Sequence, residues 1–283
     1  MFGGGEMVYN QLVTLMKKFL CLLFVPLMVL VVSCKKDDKS GKGEDSGKYG
    51  IDGVTPLPEA VDLGLESGVK WASFNIGASK EYEYGDFYAW GETTPKDNYN
   101  WASYKWCTGA ENKLTKYCQS GYTDYWDYTA KPEGIDGIMA LYPSDDVAHV
   151  KLGGKWRMPS IADFEELLAL ETEASQENSD YTWEKWAFAT DADGNEVIDA
   201  KGNVVRGIRI KRKSTGATLF LPAAGYVEDT DIHNVGAVGK YWSSSLTTNY
   251  PHKAYYIHIL SSVATRNYDL RCYGLPVRPV CEE

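Results

Sequence analysis

Residues 153–170 read GGKWRMPSIADFEELLAL, and they hold the clearest helical start in the chain. Ser160 is a good N-cap residue, and Asp163 follows three positions later. That spacing is a capping box, in which each side chain accepts from the other residue's backbone N–H. Pro159 precedes the cap, where its missing N–H does the helix no harm. Ile161, Phe164, Leu167 and Leu168 then recur at helical spacing on one face. The pattern predicts a helix over residues 159–168 that lays an apolar stripe on a neighbouring layer. A second, weaker helical stretch covers residues 145–151.

Outward from this helix the period shortens to two. In residues 59–78, EAVDLGLESGVKWASFNIGA, Val61, Leu63 and Leu65 alternate, as do Val69 and Trp71, around the turn Glu66-Ser67-Gly68. This predicts a hairpin. Residues 191–210 carry two more turn signals, Asp193-Gly194 and Lys201-Gly202-Asn203. Asp191, Asp193 and Asn195 begin like a calcium loop, but Glu196 stands where that loop needs glycine and Gly202 where it needs a bidentate glutamate, so a plain hairpin is expected. Residues 218–280 read as strands joined by Gly and Asn turns, with TLFLPAAGY (218–226) and AYYIHIL (254–260) the clearest. A helix among short antiparallel strands gives an α+β domain.

The 283 residues carry a net charge of −10, which argues against nucleic acid as a partner, because phosphate neutralisation needs a basic face. At 44% apolar and 13% aromatic, the composition supports a packed core.

The first residues read differently. Lys17 and Lys18 precede an apolar run, FLCLLFVPLMVLVVS (19–33), that Pro26 interrupts and small residues end. This is a signal peptide over residues 1–33, as against a membrane helix. Met16 is the better start, so residues 1–15 read as a start-site artefact. Val31-Val32-Ser33-Cys34 resembles a lipobox, which implies that Cys34 carries lipid. Acyl chains suffice to hold a domain at a membrane, at about 0.8 kcal/mol per buried CH₂. The KKDDK run at 35–39 resembles the lysine–acidic signal that sends Bacteroidetes lipoproteins to the outer face of the outer membrane; a solvated charge run is the plain alternative. Residues 34–56 are expected to form the lipidated cysteine and a flexible tether, and residues 57–283 the folded domain.

Six segments carry a family resemblance: VDLGLESGVKWASFNIGA (61–78), YGDFYAWGE (84–92), GGKWRMPSIADFEELL (153–168), LFLPAAGY (219–226), GKYWSSS (239–245) and GLPVRPV (274–280). In this order they resemble the Fibrobacter succinogenes major paralogous domain of Bacteroidetes surface lipoproteins. That domain is related to the C-terminal domain of the legionella collagen-like protein and is similar to the C-type-lectin-like fold. The resemblance implies twisted antiparallel sheets, one or two helices and long ordered loops. It implies binding and no catalysis, with no cofactor; a metal is not expected either, because there is no CxxC spacing and no His lies close to a cysteine in sequence. It assigns Trp156, Met158, Trp242 and Val277 to the core, and Gly154, Gly225 and Gly239 to turns or close approaches. Arg157 and Arg278 are expected to hold loops through carboxylate pairs.

Candidate functional residues fall in three groups. Cys107, Cys118, Cys272 and Cys281 allow three disulfide connectivities, of which Cys107–Cys118 and Cys272–Cys281 are favoured, with free buried thiols the other reading. The loops DNYNWASYKW (97–106) and GYTDYWDY (121–128) offer Trp101, Tyr104, Trp106, Tyr125 and Trp126, rings suited to sugar faces or a protein partner. A hydrophobic cluster beneath the loops is the alternative. By resemblance, variable contacts of C-type-lectin-like binders lie late in the chain, which adds Tyr256, His258, Arg266, Asn267, Tyr268 and Asp269. The expected role is a lipid-anchored envelope protein that binds glycan or a surface protein. The alternatives are an assembly subunit of a surface organelle and, remotely, an enzyme like those that generate formylglycine. For that last reading, Cys272 and Cys281 are spaced too widely. A serine hydrolase has no Gly-x-Ser-x-Gly elbow to support it.

Overall fold

The capping box at Ser160 starts the longer of the two α-helices among the described residues. In the computed structural model, which describes residues 48–282, Ser160 Oγ accepts from the Asp163 N–H at 3.2 Å, and the Asp163 carboxylate accepts from the Ser160 N–H at 2.6 Å. Two short strands, β1 (Ala60–Val61) and β2 (Lys70–Ala72), precede both helices. Helix α1 (Val147–Leu152) follows, capped by Asp146, whose carboxylate accepts from the Ala148 and His149 N–H groups. Strand β3 is Trp156–Arg157, and helix α2 runs Ile161–Ala174, past the expected end at 168. Phe164, Leu167 and Leu170 on α2 are buried against Leu63, Trp71, Tyr241 and Ile257.

The remaining strands are β4 (Tyr181–Phe188), β5 (Arg206–Arg212), β6 (Thr218–Pro222), β7 (Tyr226–Glu228), β8 (Asp231–His233), β9 (Gly239–Leu246), β10 (Lys253–Ile259), β11 (Ala264–Leu270) and β12 (Val280–Cys281). They form sheets of order β1-β2-β12-β3, β4-β5-β6, β11-β10-β9 and β7-β8, with antiparallel pairing throughout. The domain is therefore α+β with mostly antiparallel sheets. The hairpin read at 59–78 is β1–β2. The two turns read at 191–210 close on the bridges Thr190–Glu196 and Ile198–Val204. In the first, the Asp191 carboxylate accepts from the Asp193 and Asn195 N–H groups.

The signal peptide, the start-site reading, Cys34 and residues 34–47 of the tether lie outside the described residues. Residues 48–56, expected to belong to the flexible tether, make an ordered turn. The Gly50 N–H donates to Thr55 O at 2.8 Å, and Leu57 N–H to Lys48 O at 2.9 Å. Asp52 caps the turn through Thr55 and lies 3.8 Å from Lys151 on α1. Local capping, which the charge-rich composition conceals, is what orders it.

Met158, Trp242 and Val277 are buried as expected, and Trp156 packs half-buried against the same cluster. Gly225 has φ +74, and a Cβ there would sit 2.1 Å from the His233 carbonyl oxygen, so only glycine fits. Arg157 pairs with Asp163 at 2.7 Å and Glu282 at 3.0 Å. Arg278 departs from expectation: it is fully buried and donates to the Ala72 and Ser73 carbonyls and to Asn75 Oδ1. Burial lowers its pKa to about 10.

Candidate binding surface

Strand alternation divides the late candidates between two faces of one sheet. In the β10–β11 register, Tyr255 faces Tyr268 and Ile257 faces Arg266, while Tyr256 faces Asn267, His258 faces Thr265 and Ala254 faces Asp269. Successive side chains point to opposite faces, so Tyr256, His258, Asn267 and Asp269 cannot share a site with Arg266 and Tyr268. Tyr256 is buried, edge-on to Trp242. Asp269 takes the Lys240 ammonium at 2.6 Å, and that ammonium lies 3.7 Å from the centre of the Tyr226 ring. Burial holds the His258 imidazole below its usual pKa and pushes the Tyr256 phenol up. This face is a satisfied bracing cluster, and the expectation that Tyr256 contacts ligand is corrected by its burial.

The other face carries a continuous strip of rings. Tyr255 lies 6.5 Å from Tyr268, centre to centre, and Tyr268 lies 5.3 Å from Tyr250. Tyr250 meets His252 edge-on at 6.1 Å. His252 stacks on Tyr125 at 5.0 Å with the planes 4° apart. Tyr250 and Tyr268 are 42% and 39% exposed, high for tyrosine in contact with other rings. Cations edge the strip. Lys253 sits 5.2 Å from the Tyr268 ring, and Arg266 sits 5.4 Å from Tyr255 while pairing with Glu165 of α2. Both members of that ion pair are about half exposed, so it contributes little stability and its groups are free to meet a ligand.

The turn before β10 fixes the strip. Thr247 Oγ1 donates to the Tyr250 carbonyl and accepts the Tyr250 N–H. The His252 carbonyl accepts the Arg271 N–H at 3.1 Å. His252 is buried, and this lowers its imidazole pKa. Such a strip can stack on flat apolar faces, as of sugar rings, while its charged rim donates and accepts hydrogen bonds.

The other loop candidates are packed inward. Tyr104 is buried; its hydroxyl donates to the Trp90 carbonyl at 2.7 Å and accepts from Arg271 Nε at 3.0 Å. Trp126 is buried too, with its indole N–H donated to the Lys131 carbonyl. Trp101 meets Tyr104 edge-on at 5.5 Å. Trp106 donates to the Gly91 carbonyl under the Lys105 and Lys116 ammoniums. Trp106 and Trp126 line a pocket of about 430 Å³ whose three lysines are already paired, Lys105 and Lys116 with Asp145 and Lys131 with Glu133. Tyr104 and Trp126 are thus cores under loops, and only Tyr125, Arg266 and Tyr268 of the expected contacts belong to the strip. Sequence reading missed Tyr250, His252, Lys253 and Tyr255. The alternation through 253–257 was the signal for Lys253 and Tyr255; Tyr250 and His252, in the turn before β10, carried none.

All four described cysteines are free, so the pairs Cys107–Cys118 and Cys272–Cys281 are not formed. The Cys107 thiol meets the Trp101 carbonyl, and the Cys118 thiol the Gln119 and Tyr122 carbonyls. Cys272 is buried beside Tyr99 and Tyr104, whereas Cys281 lies between Lys70 and Trp156 in the terminal sheet. Burial pushes Cys118 up to about 11 and Cys272 to about 12.

Among the described residues no cluster of His, Cys, Asp or Glu is arranged to hold a metal, and no helix is long and apolar enough to cross a membrane. No family model, no curated protein and no solved structure matches the chain.

Proposed function

We propose that this is a binding protein of the cell envelope, anchored by lipid at Cys34, whose C-type-lectin-like domain recognises glycan. The observation that supports it is the ring strip. Tyr125 and Tyr268 come from two segments singled out on separate grounds, and they are joined through the buried His252 and the exposed Tyr250. Planar rings bury area at low entropy cost, and the flanking Arg266, Glu165 and Lys253 supply directional hydrogen bonds to hydroxyls. The family resemblance and the antiparallel core point the same way. The lipobox and KKDDK run favour the outer face of an outer membrane, with the domain turned to the surroundings and no cofactor in its work.

The test is a glycan array probed with the purified protein, with calcium and with chelator. Binding that weakens about tenfold in Tyr268→Ala and in Tyr250→Ala, roughly the 1.4 kcal/mol of one stacked ring, supports the reading. Binding unchanged in both variants, or absent under both conditions, removes it. The anchor is tested separately: Cys34→Ala releases the protein from the membrane fraction.

A further inference from the structure

A groove lies away from the tyrosine strip, and none of the expected contact residues touches it. One part, about 320 Å³, is walled by Tyr82, Tyr84, Val197, Ile198 and Val235. The next, about 340 Å³, is walled by Asp86, Asp97, Tyr99 and Val227. Phe87 and Ile232 belong to both, so the two parts adjoin at those side chains. Ile198, in the hairpin before β5, is 53% exposed, and Ile232 on β8 is 50% exposed. Two half-bare isoleucines from different elements, set over an aromatic floor, form a surface that water covers poorly.

The charge around it has one sign in excess. Glu83 and Asp199 line the first part, and Asp86 and Asp97 the second. The lining lysines are Lys201 and Lys96, and Lys96 already pairs with Glu92 at 2.9 Å. Asp199 is fixed in its ionised form by the Asn203 and Lys201 N–H groups. Asp229 and Asp231 extend the acidic end at the β7–β8 turn.

These features select an occupant. In the first part a sugar would lose water from its hydroxyls against the Val197, Ile198, Ile232 and Val235 side chains, which return no hydrogen bonds. An anion would meet the carboxylates. What fits is an apolar body carrying positive charge, in a shape long enough for both parts. We propose that the groove docks an extended segment of another protein in which aliphatic side chains alternate with lysine or arginine. In an extended segment alternate residues face the same way, so the aliphatic set seats on Tyr82, Tyr84 and Phe87 while the basic set reaches the rims. This site is independent of glycan recognition, with which it shares no residue.

The full-length protein is titrated against a fluorescein-labelled, amidated octapeptide of alternating leucine and lysine, read by anisotropy. A leucine–glutamate octapeptide is the control. Ile198→Lys and Ile232→Lys change exposed positions and leave the thermal midpoint in place, so each reports on docking alone. The expected result is saturable binding of the lysine peptide, at least tenfold weaker in each isoleucine variant. Asp97→Asn weakens it several-fold, added salt does the same, and Tyr268→Ala leaves it unchanged. Equal affinity in the isoleucine variants, equal binding of the glutamate peptide, or no saturable binding overturns the proposal.

Discussion

Arg271 is fully buried, and its hydrogen bonds go to neutral oxygens. Nε donates to Tyr104 Oη, Nη1 to the Tyr117 and Pro251 carbonyls, and Nη2 to the Lys116 carbonyl. The guanidinium also lies 5.0 Å from the centre of the Trp90 ring. One side chain thus satisfies three backbone carbonyls from two distant segments, 116–117 and 251, and holds the Tyr104 hydroxyl of a third. Arg271→Met keeps the volume but strands those carbonyls, each a loss of about 1–3 kcal/mol. We expect at least about 3 kcal/mol of destabilisation in urea unfolding, with the 97–128 loops loosened first. A second prediction concerns protons. Burial holds His252 and His258 below the ordinary 6.5, so the unfolded chain binds more protons than the fold does as pH falls through that value. Their contribution is complete above about pH 6.5 and is lost on acidification toward the lowered folded values. The thermal midpoint should fall between pH 7.5 and 5.5, and the double variant His252→Gln/His258→Gln should flatten that part of the profile.

At the scale of elements, what could be read depended on whether the signal was local. The α2 cap needs only four adjacent residues, and Ser160 and Asp163 made it legible. Ser160→Ala should cost about 1 kcal/mol, measured as a lower denaturant midpoint with an unchanged slope. Strand β4 gave no such signal. Its pairing with β5 slips between Glu184 and Ala187, and Trp186 sits at φ 57, so the alternation breaks mid-strand. The aromatic loops were legible as buried area but not as to direction. Tyr104 turns inward because Arg271, far away in sequence, supplies its donor. The site was half legible for the same reason: aromatic density marked Tyr125 and the family resemblance marked Tyr268, but only the β10–β11 register separates Tyr268 from its neighbours Asn267 and Asp269 and joins it to Tyr255.

On the scale of the whole molecule, the terminal sheet closes the fold. Strand β12 lies between β2 and β3, with Val280 opposite both Trp71 and Arg157, and Cys281 opposite Lys70 and Trp156. Contacts this distant in sequence carry a large loop-closure cost, so folding should be slow for the domain's size. Removing residues 280–283 takes the shared neighbour from both strands; the shortened protein should lack a cooperative thermal transition, as calorimetry would show. The same placement also sets a timetable during synthesis. While a ribosome still holds the last residues, β2 and β3 have no strand between them, and Trp71 lacks its partner. The β1-β2-β12-β3 sheet therefore cannot close until residues 280–281 have left the ribosome, however early the other sheets form.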